Sequence, residues 1–196
     1  MRIHRSFVSS VMALAFFAAA KPCLADTPAE LPKQGLALQF HTPMEVTYRL
    51  DCGGGFLFGY RASRVLAGVG VDYLESFGIE QKESSAWGVP STRRIVRVSP
   101  TVQVAFARSA SKTFEVFLVG DVSLGVEVFH RKGNNFYGPV DETTTTTLPT
   151  IGLGIGPRYW MSPRFAMSFP IGLRVNLTTG GSQFPFSLSP ALMGVF

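Results

Sequence analysis

The sequence predicts an all-β chain: eight antiparallel strands closed into an up-and-down barrel with lipid on its outside. Three observations carry this. Apolar residues recur with period two along almost the whole chain after residue 33. Charged side chains keep to the opposite parity, and short connections alternate with longer ones. Composition agrees, since only 16% of the 196 residues are charged, against a globular norm of about 25%. Helical membrane proteins share that balance, but they need apolar runs of about 20 residues.

The one long apolar run is N-terminal. Arg2, His4 and Arg5 precede an uncharged stretch of 14 residues, Phe7 to Ala20, and Cys23-Leu24-Ala25 supplies small residues at a cleavage site. As a helix the stretch rises about 21 Å, short of a hydrocarbon core of about 30 Å. Residues 1–25 are therefore expected to be a signal peptide, 26–33 a short leading segment, and 34–196 the barrel. Cleavage removes Arg2, Arg5 and Lys21 from 18 basic residues set against 13 acidic ones, which leaves +2. That bias is too weak to suggest nucleic acid. Cys23 leaves with the signal, so Cys52 stands alone and no internal disulfide is expected.

The first apolar series runs on even numbers from Leu36 to Tyr60, too long for one strand. A turn is expected at Thr42-Pro43 or at Asp51-Cys52-Gly53-Gly54. The former is preferred, because a second strand from Met44 to Arg61 then matches its neighbour from Arg64 to Gln81. The third strand carries Val65, Ala67, Val69, Val71 and Tyr73. The fourth carries Val96, Val98, Pro100, Val102, Val104 and Phe106, and the fifth runs from Phe114 to Val128 on even numbers. Ile151, Leu153, Ile155, Pro157 and Tyr159 mark the sixth strand, and Phe165 to Val175 on odd numbers the seventh. Phe184, Phe186, Leu188, Pro190, Leu192 and Phe196 mark the eighth.

Short turns fall near Ala62-Ser63, Ser109 to Lys112 and Met161 to Pro163. Longer connections fall at Ser76 to Thr92 and Arg131 to Thr145, with a modest one at Thr178 to Gln183. An even number of strands with short turns at one end describes a closed meander.

A soluble ligand-binding barrel would show the same alternation with its apolar face inward, so the polar face decides. It consists largely of Gly, Ala, Ser and Thr. Its strand-body charges are Glu45, Arg49, Arg61, Asp72, Arg97, Glu115, Asp121, Glu127, Arg158 and Arg174, five acids and five bases. None falls on the apolar face between the strand ends. A Lys or Arg facing lipid at the bilayer midplane costs about 2–4 kcal/mol, which is the pressure that excludes charge from one face. Tyr60, Phe106, Phe114, Tyr159, Phe165 and Phe196 sit on the apolar parity beside short turns or the C-terminus, as an interfacial girdle requires.

With its signal peptide, eight alternating strands, short turns and terminal Phe196, the sequence resembles the small outer-membrane β-barrels of the OmpA/OmpX type. The resemblance covers residues 34–196 and implies a bacterial outer membrane, with 26–33 and the short turns on the periplasmic side. It also implies contact with outer-membrane lipid and lipopolysaccharide. Phe186, Leu188, Leu192 and Phe196 fit the last-strand signal that the family's barrel-assembly machinery reads, although Gly194 replaces a usual bulky residue.

An eight-stranded barrel encloses little more than its own side chains. The balanced inward charges then imply a paired network and a narrow or plugged lumen. No catalytic set, cofactor or metal site is expected. The histidines beyond the signal, His41 and His130, are isolated. A lipid A-modifying enzyme of the same fold is the alternative, with His130 near Asp141 and Glu142 but no His-x-Ser pairing. A secreted soluble barrel is the third reading. Gly152-x-Gly154-x-Gly156 lies within a strand, where its glycines make interior space rather than a phosphate loop. Thr143 to Thr147 reads as a strand rising past the membrane. Trp87, Phe136 and Tyr137 are the candidate loop contacts for an extracellular partner.

Overall fold

A computed structural model describes residues 34–46, 50–80, 89–135, 137–177 and 185–196. The expected signal peptide and the segment 26–33 lie outside them. Eleven ladder segments make eight barrel strands. β1 (Gln34–His41) and β2 (Met44–Val46) together form the first. β3 (Leu50–Ala62), β4 (Val65–Glu80), β5 (Val89–Arg108), β6 (Phe114–Asn135) and β7 (Gly138–Trp160) are the second to sixth. The seventh joins β8 (Phe165–Ser168) to β9 (Ile171–Asn176), and the eighth joins β10 (Phe186–Leu188) to β11 (Ala191–Val195). Neighbours in sequence pair antiparallel. The first and last strands also pair, β1 with β11 and β2 with β10, so the sheet closes on itself.

Prolines cause the three interruptions. Proline has no N–H to give the ladder, yet its carbonyl still accepts. Phe169 N donates to Pro157 O at 3.0 Å, Ser189 N to Pro170 O at 3.1 Å, Thr42 N to Pro190 O at 3.0 Å and Gly53 N to Pro43 O at 3.0 Å. One proline row thus crosses four adjacent strands without opening the sheet.

This row corrects the expected first turn. Thr42-Pro43 is an irregularity inside the first strand, bonded to both neighbours, and Asp51 to Gly54 lie within β3. Met44, Glu45 and Val46 pair antiparallel with Cys52, Asp51 and Leu50, so Met44 to Val46 belong to the first strand and Leu50 onward to the second. The second strand therefore starts at Leu50 and not at Met44.

Two expected long connections are also mostly strand. β4 and β5 stay paired as far as Glu80↔Val89, and β6 and β7 as far as Asn135↔Gly138. Thr143 to Thr147 lie in β7 opposite His130 to Val126. β-Branched side chains favour the extended backbone, which is why this run continues the ladder.

The faces separate cleanly. Val122, Leu124 and Leu153 are over 60% exposed, while Leu57, Leu66 and Phe117 are buried inside. Along β5 the outward apolar residues run from Phe106 to Val96, within the roughly 9–11 residues a tilted strand uses to cross hydrocarbon. Two apolar clusters lie in the lumen. Ala37, Leu57, Leu66, Trp160, Ala166, Met193 and Val195 fill the end near the short turns. Leu74, Ile95 and Leu148 form a second layer toward the other end.

Candidate functional site

Inward-facing polar side chains form three layers in the lumen. At the short-turn end, Glu115 is completely buried. Arg61 Nη2 and Arg108 Nε both donate to its Oε1 at 2.9 Å, and Arg158 Nη1 stands 3.5 Å from Oε2. Aromatic faces cover two of these cations, with Arg61 4.6 Å above the Trp160 ring and Arg158 4.3 Å above Phe117. Arg158 also donates to Gln103, whose Nε2 reaches Gln39 Oε1 at 3.2 Å.

The middle layer is denser in acid. Arg97 holds Glu45 with two bonds, 2.6 and 3.2 Å long. Arg174 lies 3.5 Å from Glu45, 3.3 Å from Asp121 and 4.0 Å from Asp72, and His41 Nε2 meets Asp72 Oδ1 at 2.6 Å. Gly152 faces Asp121 across the β6–β7 ladder, and a Cβ there would overlap that carboxylate. The glycine spacing in β7 thus serves packing. Beside this layer lies a cavity of about 70 Å³ bordered by His41, Ser99, Asp121 and Arg174. It is large enough to admit water, which needs about 10–15 Å³.

In the third layer, above Leu74 and Ile95, Arg93 donates to Asp51 at 2.5 Å and to both Glu127 oxygens at 2.9 and 3.0 Å. Four titratable members of these layers, His41, Asp51, Arg93 and Arg108, lie outside the expected charge set, and His41, expected to be isolated, meets Asp72. Of these, Asp51 falls within the preferred second strand from Met44 to Arg61, Arg93 and Arg108 are the two ends of the fourth, and none enters the strand-body set. Asp51 and Arg93 do carry the inward parity of their strands, so the signal was available. Arg49, in the expected charge set, falls outside the described residues.

The residues of the expected aromatic girdle lie at one end of the outer surface, and Phe40, Phe56, Phe58, Tyr73, Phe169 and Phe186 are exposed elsewhere along it. Tyr60, Phe106, Phe114, Tyr159, Phe165 and Phe196 are all exposed at the girdle end, and Phe165 and Phe196 meet edge to face at 6.3 Å. At the opposite end the hairpin of β6 and β7 continues beyond the apolar belt. From Val128↔Thr145 to Asn135↔Gly138 it gains about 23 Å at roughly 3.3 Å per residue. Both faces of 141–147 are exposed, and Tyr137 at the tip is 77% exposed. Trp87 and Phe136 lie outside the described residues.

Cross-strand pairs hold this hairpin. His130 Nδ1 lies 2.9 Å from Thr143 Oγ1, Arg131 donates to Glu142 at 3.1 Å, and Lys132 Nζ is 3.5 Å from Asp141. His130 stands on an open ladder, with its Nε2 4.0 Å from a half-exposed Asp141. No hydroxyl other than that of Thr143 is bonded to it among the described residues. No group of three or more metal-ligating side chains occurs among them either. Cys52 is exposed and free.

A closed eight-stranded meander, apolar outside and ion-paired inside, has the architecture of a small transmembrane β-barrel of the outer-membrane type. A solved structure shares that fold. Neisserial surface protein A superposes with a TM-score of 0.53 at 12% identity, over 84% of this chain and 98% of that one. The N-terminal barrel domain of Pseudomonas aeruginosa OprF gives 0.43 at 10% identity, over 82% and 98%. Ail, the attachment invasion locus protein of Yersinia pestis, gives 0.42 at 11% identity, over 84% and 99%. No family model and no curated protein matches the sequence.

Proposed function

We propose that this protein is a non-enzymatic outer-membrane barrel whose role is structural or one of surface interaction, exported with a cleaved signal peptide. The observation that carries the reading is the β6–β7 hairpin, which lifts an exposed, threonine-rich strand well beyond the apolar belt. A rigid barrel that continues its ladder into water presents side chains and backbone to whatever meets the cell. The lumen supports a closed interior, since apolar layers lie on both sides of the polar middle. Lipid and lipopolysaccharide surround the belt, and the last strand serves as the handle for the assembly machinery.

The test compares cells carrying the wild type with cells in which residues 132–141 are replaced by a two-residue turn. Both proteins are expected to keep the boiled-versus-unboiled gel shift of a folded barrel, while only the wild type supports attachment of cells to one another or to a protein-coated surface. Equal attachment would remove the hairpin from the role. Lipid A mass spectra are expected to be unchanged by the protein. A modification that His130→Ala abolishes would replace this reading with a lipid A-modifying enzyme.

A further inference from the structure

The two ends of the barrel treat their surface cations differently. Beyond the belt at the hairpin end, the exposed Arg94 meets Glu75 and the exposed Lys132 meets Asp141, and the buried Arg93 and Arg131 beside them also meet acids. At the other end each of the three short turns carries one exposed cation, namely Arg64, Lys112 and Arg164. None of the three forms an ion pair among the described residues. Those turns contain no acid, and Glu115, the one buried carboxylate at this level among the described residues, already faces three guanidiniums.

Placement narrows what these cations can meet. The turns join the second and third, fourth and fifth, and sixth and seventh strands, so the cations stand about a quarter-turn apart around the rim. They lie next to the aromatic ring formed by Tyr60, Phe106, Phe114, Tyr159 and Phe165. Interfacial aromatics mark headgroup depth, and long basic side chains there reach outward to phosphate. A ring of separated charges fits a layer of headgroups and not one compact ligand.

We propose that this cationic rim is a docking surface for anionic phospholipid headgroups of the leaflet on the short-turn side, which anchors and orients the barrel. The proposal rests on the membrane-spanning reading above. A basic residue at an anionic surface favours association about fivefold.

The experiment uses the mature chain refolded into phosphatidylcholine bilayers, with spin-labelled phosphatidylglycerol or phosphatidylcholine as probe. Electron paramagnetic resonance reads the motionally restricted lipid at the protein surface. The wild type is expected to prefer phosphatidylglycerol, by about fivefold at a site beside one cation. The preference should fall away at 1 M salt, where the screening length is about 3 Å. Combined Arg64→Gln, Lys112→Asn and Arg164→Gln is expected to abolish it; asparagine suits the positive φ of 57° at Lys112. Arg64→Lys, Lys112→Arg and Arg164→Lys should retain it, and this control covers a neutral variant that fails to fold.

Restricted lipid without headgroup preference, or a preference that survives neutralisation, overturns the proposal. Absence of any restricted lipid would instead overturn the membrane-spanning reading. Loss of sedimentation with peptidoglycan sacculi in the neutral variant, with lipid preference unchanged, would assign the rim to that polymer and overturn the proposal.

Discussion

Glu115→Gln removes the only acid that Arg61, Arg108 and Arg158 pair with among the described residues. The side chains of Arg61 and Arg158 are 0% and 1% exposed, so neither can turn to water. Arg108, at 21%, can. A charge pair about 4 Å apart is worth about 4 kcal/mol at an effective dielectric of about 20, and part of that offsets desolvation. Removing one partner of a buried pair costs about 3–5 kcal/mol, and that is the expected loss. Urea unfolding in lipid vesicles, followed by loss of the unboiled gel band and of far-ultraviolet dichroism, measures it. Replacing the cluster by Arg61→Met, Glu115→Leu and Arg158→Met should restore stability to within about 1 kcal/mol of wild type, because an apolar substitute avoids burying charge. A loss under about 1 kcal/mol for Glu115→Gln, with the barrel intact, would refute the reasoning. It would mean that water already screens these charges.

Three further expectations follow from the geometry. Leu124→Arg, on a side chain 61% exposed to the belt, should cost about 2–4 kcal/mol by the same urea assay, whereas Thr145→Arg beyond the belt should cost under about 1 kcal/mol. Ser63→Gly should raise stability by about 0.5–1 kcal/mol, since Ser63 sits at a φ of 53° that favours glycine. Planar-bilayer recordings of the wild type should show no large, steady channel, and a stable conductance of that kind would contradict the closed lumen.

Much of the barrel was legible in the sequence because alternation is a two-residue property. Val96, Val98, Val102 and Val104 each declare their face without reference to any other strand. Thr42-Pro43 shows the limit. A proline that ends a strand and a proline that only interrupts its hydrogen bonds look alike in one dimension. Partners on both sides, Pro190 O for Thr42 and Gly53 N for Pro43, distinguish them. Residues 131–145 fail for a related reason. Arg131, Lys132, Asp141 and Glu142 read as a loop because their charges are solvated, yet in register they face one another across a ladder.

By itself, the sequence determined the number of strands, the face each side chain takes and the exclusion of charge from lipid. Each follows from local pleating and from the free energy of placing a charge in hydrocarbon. Only the tertiary structure decided who meets whom inside. Arg93 between Asp51 and Glu127, Arg108 beside Glu115, and Arg174 among three acids all depend on register around a closed ring of eight strands. Shifting any one strand by two residues preserves every face and reassigns the ion pairs that strand makes, so no pattern within a single strand could have chosen among them.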